Sequence, residues 1–113
     1  MMAHAKLRYG FDPAMITAAQ MRAARALLGM DQQKLADLAD VSLPTIQRME
    51  ASHGDVRGVV DTLMKVVRAF DRAGIEMIGE NTPSQGTGRG VRFKVAPLAA
   101  KRPAPPGQRS RRA

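Results

Sequence analysis

Two adjacent polar side chains, Gln47 and Arg48, have the chemistry to hydrogen-bond the edges of nucleic-acid bases. A guanidinium can donate to both O6 and N7 of guanine, and a carboxamide can pair in a similar way with adenine. On a helix, both side chains would lie opposite the apolar pair Ile46 and Met49 and would face solvent. We therefore take Gln47 and Arg48 as candidates for base contacts, with a phosphate contact as the alternative for Arg48.

Two apolar residues, Leu43 and Pro44, share this predicted solvent face. They cannot hydrogen-bond a base edge, but they can contact a thymine methyl group and exclude water there. Such a face forms fewer hydrogen bonds than one rich in amides. Its base preference would therefore depend more on the shape and deformability of the DNA.

Two short helices joined by a tight turn would position this face. Asp31 can cap the first helix and Ser42 the second, with Pro44 in the first turn, where its missing N–H costs little. Asp40-Val41 interrupts the helical pattern between them. The inward residues of the first helix are predicted to be Leu35, Ala36, Leu38 and Ala39.

A helix is predicted on each side of this pair. The preceding one is expected to run from its cap, Thr17, to about Leu28, with Gly29 ending it. The following one is expected over residues 56–73, closed by Gly74, because apolar residues recur there at helical spacing. Those residues are Val59, Val60, Leu63, Val66, Val67 and Phe70.

The hydrophobic period then changes to that of a strand. Residues 75–79 and 91–95 alternate in polarity, which predicts a two-stranded β-hairpin with a long loop between the strands. An isolated hairpin is marginally stable in water, so it must pack on the last helix or pair with another chain. We favour a dimer contact through its apolar residues, which are Ile75, Met77, Val91, Phe93 and Val95.

One segment resembles a known family. It has the pattern Gln32-x-x-Leu35-Ala36-x-x-Ala39-x-Val41-Ser42-x-x-Thr45-Ile46-x-x-x-Glu50. This pattern is similar to the helix-turn-helix of lambdoid phage repressors, Cro proteins and the large XRE-type group of bacterial regulators. The resemblance covers about residues 15–75. It departs from the family where Ser52 stands in place of the usual Gly after the Glu.

The resemblance implies a mainly α, compact lambda repressor-like domain of four to five helices, to which the hairpin and a tail would be added. It implies that Arg25 pairs with Glu50 as a structural ion pair. It also implies that Gln32 contacts a DNA phosphate, with a solvated polar residue as the alternative. Thr45 would contact a phosphate or cover the turn with its methyl group. Ser42 and Arg57 complete the phosphate candidates.

The chain divides by composition into four parts. We expect an N-terminal arm at 1–14, the helix-turn-helix domain at 15–74, the hairpin at 75–96 and a disordered, basic, Pro-rich tail at 97–113. The net charge of +8 is concentrated in residues 89–113, which hold eight positive side chains and no acidic one. Such a tail can attract phosphate without base preference, or it can simply aid solubility.

Several classes of function are disfavoured. The chain has no Cys and only two distant His, so no metal site and no cofactor are expected. No catalytic constellation is visible, and an enzyme is not predicted. No apolar run approaches the roughly 20 residues that span a bilayer, and no signal peptide is evident, so we expect no membrane partner and a cytoplasmic, nucleoid-associated protein.

These features predict a sequence-specific regulator of transcription that binds double-stranded DNA as a homodimer on an inverted repeat. Two alternatives remain open at the level of sequence. One is an antitoxin that binds a toxin and autoregulates its operon. The other is an architectural DNA-binding protein of low specificity.

Overall fold

The computed structural model describes residues 11–53, 56 and 58–95. This part of the chain is mainly α, as predicted, with one short 3-10 helix at Pro13–Met15 and four α-helices. The α-helices are α1 (Ala18–Leu28), α2 (Gln32–Ala39), α3 (Leu43–Glu50) and α4 (Val60–Arg72). No strand forms among the described residues.

The first helix begins and ends at the residues that the sequence indicates. Thr17 Oγ1 accepts a hydrogen bond from the Gln20 N–H at 3.1 Å, and Gln20 Oε1 accepts one from the Thr17 N–H at 3.1 Å. This reciprocal capping box satisfies two N–H groups that a helix start leaves without partners. Gly29 ends the helix in the left-handed region, at φ 67°.

The next two helices follow the predicted caps closely. Asp31 Oδ1 accepts from the Lys34 N–H at 2.8 Å, and Ser42 Oγ accepts from the Thr45 N–H at 3.2 Å. Between the helices Asp40 adopts the left-handed conformation at φ 60°, a region that Asp tolerates better than most residues. The connection is therefore short, and it fixes the angle at which α3 leaves α2.

The core lies where α4 packs against α2 and the 3-10 helix, while α3 packs against both α1 and α2. Ile46 and Met49 anchor α3 in this core. Phe11 and Pro13, which the sequence places in the N-terminal arm, are also buried. The largest fully buried side chains are Phe70, Ile16, Met21, Leu35, Ile46, Val66, Val67 and Pro13.

The fourth helix starts later than the periodicity predicts. It begins at Val60, and Val59 is its N-cap without a side-chain hydrogen bond. Val59 and Val60 are therefore exposed and not inward-facing. Val56, four residues earlier, is buried in the loop, and its N–H donates to the Ile16 carbonyl at 2.9 Å. This hydrogen bond holds Val56 against the core beside the 3-10 helix.

The predicted C-terminal β-hairpin does not form in the described residues, where the Glu76 carboxylate instead binds the loop between the two predicted strands. Glu76 accepts hydrogen bonds from the Ser84 hydroxyl at 2.8 Å, the Gln85 N–H at 2.6 Å and the Gly86 N–H at 2.9 Å. Charge-assisted bonds of this kind are stronger than the neutral bonds of a strand ladder. The loop therefore folds back on residue 76, and residues 91–95 do not pair with residues 75–79.

A second charged side chain holds the returning segment. Arg92 donates from Nη1 to the Thr82 carbonyl at 2.6 Å and from Nη2 to the Gly79 carbonyl at 3.2 Å. Met77 is buried in the core and Ile75 packs against it. The apolar residues after Arg92 are exposed, as is Val91 before it. The apolar residues of the first predicted strand therefore contact the core, whereas those of the second are exposed to solvent.

Candidate nucleic-acid interface

One side of α3 is exposed along its whole length. Pro44, Gln47 and Arg48 face solvent, and Ala51, the C-cap, is exposed as well. Their spacing of i, i+3, i+4 and i+7 places them on one continuous face. The structure thus brings together three of the four residues predicted to contact bases, and it adds Ala51, whose small side chain allows close approach to a base pair.

Leu43 lies at the edge of this face. It is partly buried and packs against the core, so only part of its side chain is available to a ligand. The sequence pattern placed it fully on the solvent side because helical spacing alone does not show how far a neighbouring helix extends. The accessible face is therefore narrower and consists mainly of one carboxamide and one guanidinium.

Two hydroxyl groups lie at the start of α3. Ser42 Oγ and Thr45 Oγ1 are 2.8 Å apart, and either atom can be the donor. The hydroxyl that accepts in this pair keeps its own proton, which is then available to an outside acceptor such as a phosphate oxygen. The start of α3 is thus able to bind an anionic oxygen through one of these groups.

Glu50 ends α3 and is the only buried charged residue in the described part of the chain. Arg25 of α1 donates from Nε to Oε2 at 2.7 Å and from Nη2 to Oε1 at 2.8 Å. The third guanidinium nitrogen, Nη1, donates to the Met30 carbonyl at 3.0 Å. All three nitrogens of Arg25 are therefore used inside the protein, and its role is structural.

Gln32 also contacts this carboxylate. Its Nε2 donates to Glu50 Oε1 at 3.1 Å, which ties the start of α2 to the end of α3. An amide nitrogen carries two hydrogens, so one remains for a second acceptor. Gln32, predicted from the sequence as a phosphate ligand, lies in the structure at a junction of α2 and α3.

Arg22 is a residue that the sequence interpretation did not assign. Its Nη1 donates to the main-chain carbonyl of Glu50 at 2.7 Å, and so satisfies one of the carbonyls that a helix end leaves without a partner. Arg22 and Arg25 are three residues apart on α1 and share a face. This spacing was the available signal that both could bind the same group.

The ionisation of the pair reflects these contacts. Burial raises the pKa of Glu50, but the hydrogen bonds from Arg25 and Gln32 and the nearby positive charges outweigh burial, so its pKa lies below the ordinary value. The hydrogen bond to Glu50 raises the pKa of Arg25 despite some desolvation. Both groups are therefore charged at neutral pH, and the pair is an ionic link between α1 and α3.

The turn after α3 accommodates the departure from the family pattern. Ser52 N–H donates to the Met49 carbonyl at 3.2 Å, and its hydroxyl donates to the Arg48 carbonyl at 3.3 Å. The side chain of Ser52 thus provides a bond that a Gly could not make. Arg57, the remaining phosphate candidate, lies outside the described residues.

Two other properties bear on the class of protein. Within the described ranges, no group of three or more His, Cys, Asp or Glu side chains is arranged to hold a metal ion. No helix in the same part of the chain is long and apolar enough to cross a membrane.

Comparison with known proteins assigns the helical region to a family. A helix-turn-helix family model matches residues 21–73, just under half of the chain, from within α1 to the end of α4. Comparison with curated proteins gave no match, and comparison with solved structures gave none either. Members of this family are DNA-binding regulators and are not typically enzymes. The matched region carries the motif and geometry described above, and it is similar to the XRE-type helix-turn-helix family of lambda repressor-like and Cro-like proteins.

Proposed function

We propose that this protein regulates transcription by binding a specific double-stranded DNA sequence as a homodimer, with α3 in the major groove. The observation that carries the proposal is the exposure of Gln47 and Arg48 on a helix whose opposite side is buried. A helix of this kind fits the width of the major groove, where base edges present a distinct pattern of donors and acceptors.

Each exposed side chain of α3 has a chemical preference. Arg48 would donate to O6 and N7 of guanine, and Gln47 would pair with N6 and N7 of adenine. Pro44 and the exposed part of Leu43 would contact thymine methyl groups. Because only two side chains form hydrogen bonds, the sequence-dependent shape of the site supplies the rest of the specificity.

Phosphate contacts would fix the register of α3 in the groove. The hydroxyls of Ser42 and Thr45 and the second amide hydrogen of Gln32 are suited to this role. Arg57 and the basic tail would add electrostatic attraction that does not depend on base sequence. The site of action would be chromosomal DNA in the cytoplasm.

A homodimer follows from the size of the interface. One helix of eight residues offers few base contacts, whereas two copies on an inverted repeat double them. The exposed apolar residues Val91, Phe93 and Val95 are the available surface for self-association. Ile75 and Met77 would support that surface from within their own core.

Replacing Arg48 by Ala tests the proposed role of α3. On the preferred site the loss should be about 1–3 kcal/mol, with relaxed preference at one base position. Arg68→Ala is the matched control, because Arg68 is an exposed arginine on α4 and its loss removes the same charge. Equal and uniform weakening by both variants would show that Arg48 contributes charge only and would contradict base reading.

A further inference from the structure

A short apolar segment at the end of the described chain is almost fully exposed. In residues 91–95, which we call the arm, Val91, Phe93 and Val95 are 87%, 68% and 78% exposed. They alternate with Arg92 and Lys94, as in a strand that buries one face. Three large apolar side chains so close together on a surface indicate a binding segment.

An open cleft of about 300 Å³ lies beside the start of the arm. Its apolar walls come from Leu27 at the end of α1 and from Ile75 and Ile78 in the segment after α4. Leu27 is 58% exposed, so the apolar wall that it contributes is open to solvent. Phe93 does not line this cleft in its own chain, although Val91 does.

Internal hydrogen bonds hold the arm and the cleft in this relationship. Glu76, at the cleft wall, accepts three hydrogen bonds from residues 84–86. Arg92 fixes the base of the arm to the carbonyls of Gly79 and Thr82. With Arg92 anchored, the apolar side chain that follows it stays in solvent beside the cleft of its own chain.

We propose that the arm of one protomer occupies this cleft on a second copy of the chain, with Phe93 as the anchor, and that the exchange is reciprocal. This inference rests on the proposed homodimer and specifies how that dimer is made. A two-fold axis suits it, because each protomer offers one arm and one cleft on the same side of the molecule. A cavity of this volume can receive an aromatic ring together with part of a neighbouring valine.

Charge favours a second copy over a nucleic acid as the occupant. Residues 75–95 contain Arg89, Arg92 and Lys94 against Glu76 and Glu80, a net charge of only +1 in a chain of +8. A surface that binds DNA is expected to be strongly positive. A nearly neutral surface with its own complementary apolar segment can instead meet its copy without strong repulsion.

The absence of cysteine from the sequence allows a direct test of the exchange. Leu27→Cys places a thiol on the cleft wall, and Val95→Cys places one on the arm. Because the thiols are on separate full-length chains, a disulfide between them must join two protomers, and it needs Cβ atoms within about 4.5 Å. Mixing the two variants under mild oxidation should give the mixed disulfide as the main product.

A control pair uses an exposed valine outside the cleft. Val60→Cys mixed with Val95→Cys should give little mixed disulfide, because Val60 begins α4 and does not line the cleft. Equal yields from the two mixtures would overturn the exchange.

Sedimentation of a second variant tests the anchor. Phe93→Ala should weaken self-association about tenfold or more, whereas Val60→Ala should leave it unchanged. Since Phe93 is exposed in the single chain, its variant should unfold thermally like Val60→Ala at concentrations where both variants are monomeric. Similar association constants for both variants would contradict the role of Phe93.

These measurements separate the inference from the function on which it rests. A wild-type dimer without the Leu27–Val95 disulfide and without an effect of Phe93→Ala overturns the arm exchange but keeps the homodimer. A wild-type chain that is monomeric and binds DNA as a single protomer overturns both. If the arm binds a partner of another kind, the wild-type chain studied alone will also be monomeric.

Discussion

Arg25 and Glu50 join α1 to the end of α3 through two parallel hydrogen bonds of 2.7 and 2.8 Å. The Glu50 side chain is 4% exposed and that of Arg25 is 20% exposed. Arg22 binds the main-chain carbonyl of the same glutamate. These contacts hold the end of α3 through both the carboxylate and the main-chain carbonyl of Glu50. They therefore set the direction in which Gln47 and Arg48 point.

A double-mutant cycle should show strong coupling between Arg25 and Glu50. Removal of one partner leaves a buried charge uncompensated, and we expect Arg25→Ala or Glu50→Ala to lower the free energy of unfolding by about 3–5 kcal/mol. The double variant should lose much less than the sum of the two. Denaturant unfolding of the four proteins measures the coupling, and a value near zero would contradict a structural ion pair.

The chain contains its own control for this cycle. Lys65 and Asp61 on α4 are 3.8 Å apart, with side chains 42% and 80% exposed. An exposed pair at this spacing should contribute less than about 1 kcal/mol. The same cycle on Lys65 and Asp61 should therefore give a much smaller coupling than the cycle on Arg25 and Glu50.

Stability should fall in acid partly through Glu50. Its pKa is lowered in the folded protein, so its contribution is present above the ordinary value of 4.5 and is lost as the pH falls through the folded pKa. Glu50→Gln should therefore flatten the acid limb of the unfolding free energy measured against pH. An acid limb of unchanged slope would show that Glu50 has the same pKa in both states.

Glu76 should contribute to the same limb independently. The Gln85 N–H bond lowers its pKa most, and the Ser84 and Gly86 bonds and the nearby Arg92 act in the same direction despite some desolvation. Because Glu76 is not buried in the core, Glu76→Gln should change the acid limb less than Glu50→Gln does. Comparing the two single variants separates the buried carboxylate from the one that holds the C-terminal loop.

Arg22 is expected to position α3. Arg22→Gln removes the bond to the Glu50 carbonyl and should cost about 1 kcal/mol of unfolding free energy. DNA affinity should fall because α3 is less well held, while the slope of log affinity against log salt stays the same. A slope reduced by about 0.9 would instead show that Arg22 neutralises a phosphate. Arg68→Gln provides the control for loss of one exposed charge.

The tail should add affinity without specificity. Residues 97–113 lie outside the described residues and carry five positive charges: Lys101, Arg102, Arg109, Arg111 and Arg112. Truncation after Ala96 should weaken binding to preferred and random DNA alike and reduce the salt slope, since each phosphate contact contributes about 0.9 to it. An unaltered slope would exclude the tail from the interface.

Local chemistry explains which features the sequence could predict. Each of the caps at Thr17, Asp31 and Ser42 forms with a residue three positions away, so the sequence alone predicts where α1, α2 and α3 begin. The sequence does not predict the start of α4, because Val59 forms no side-chain cap and the apolar periodicity extends beyond the helix. Periodicity shows which residues are apolar, and tertiary packing decides where the helix begins.

The hairpin prediction failed for a related reason. Alternation at 75–79 and 91–95 is a real property of the sequence, but the bonds from residues 84–86 to Glu76 form between residues eight to ten apart and carry no pattern. The contact of Arg22 with the Glu50 carbonyl spans 28 residues, and its only signal in the sequence is the spacing of three residues between Arg22 and Arg25. Long-range bonds from charged side chains to the backbone therefore account for much of what the sequence did not reveal.

Selection of bound sequences from a random DNA pool by the full-length wild-type protein tests the central claim most directly. If α3 reads the major groove in each half of a homodimer, the selected DNA will contain an inverted repeat whose half-sites are centred about one helical turn apart, ~34 Å. A guanine is expected in each half-site at the position of Arg48, and the same selection with Arg48→Ala should lose the preference there. Recovery of DNA with no shared motif would contradict the account and would favour binding through phosphates alone.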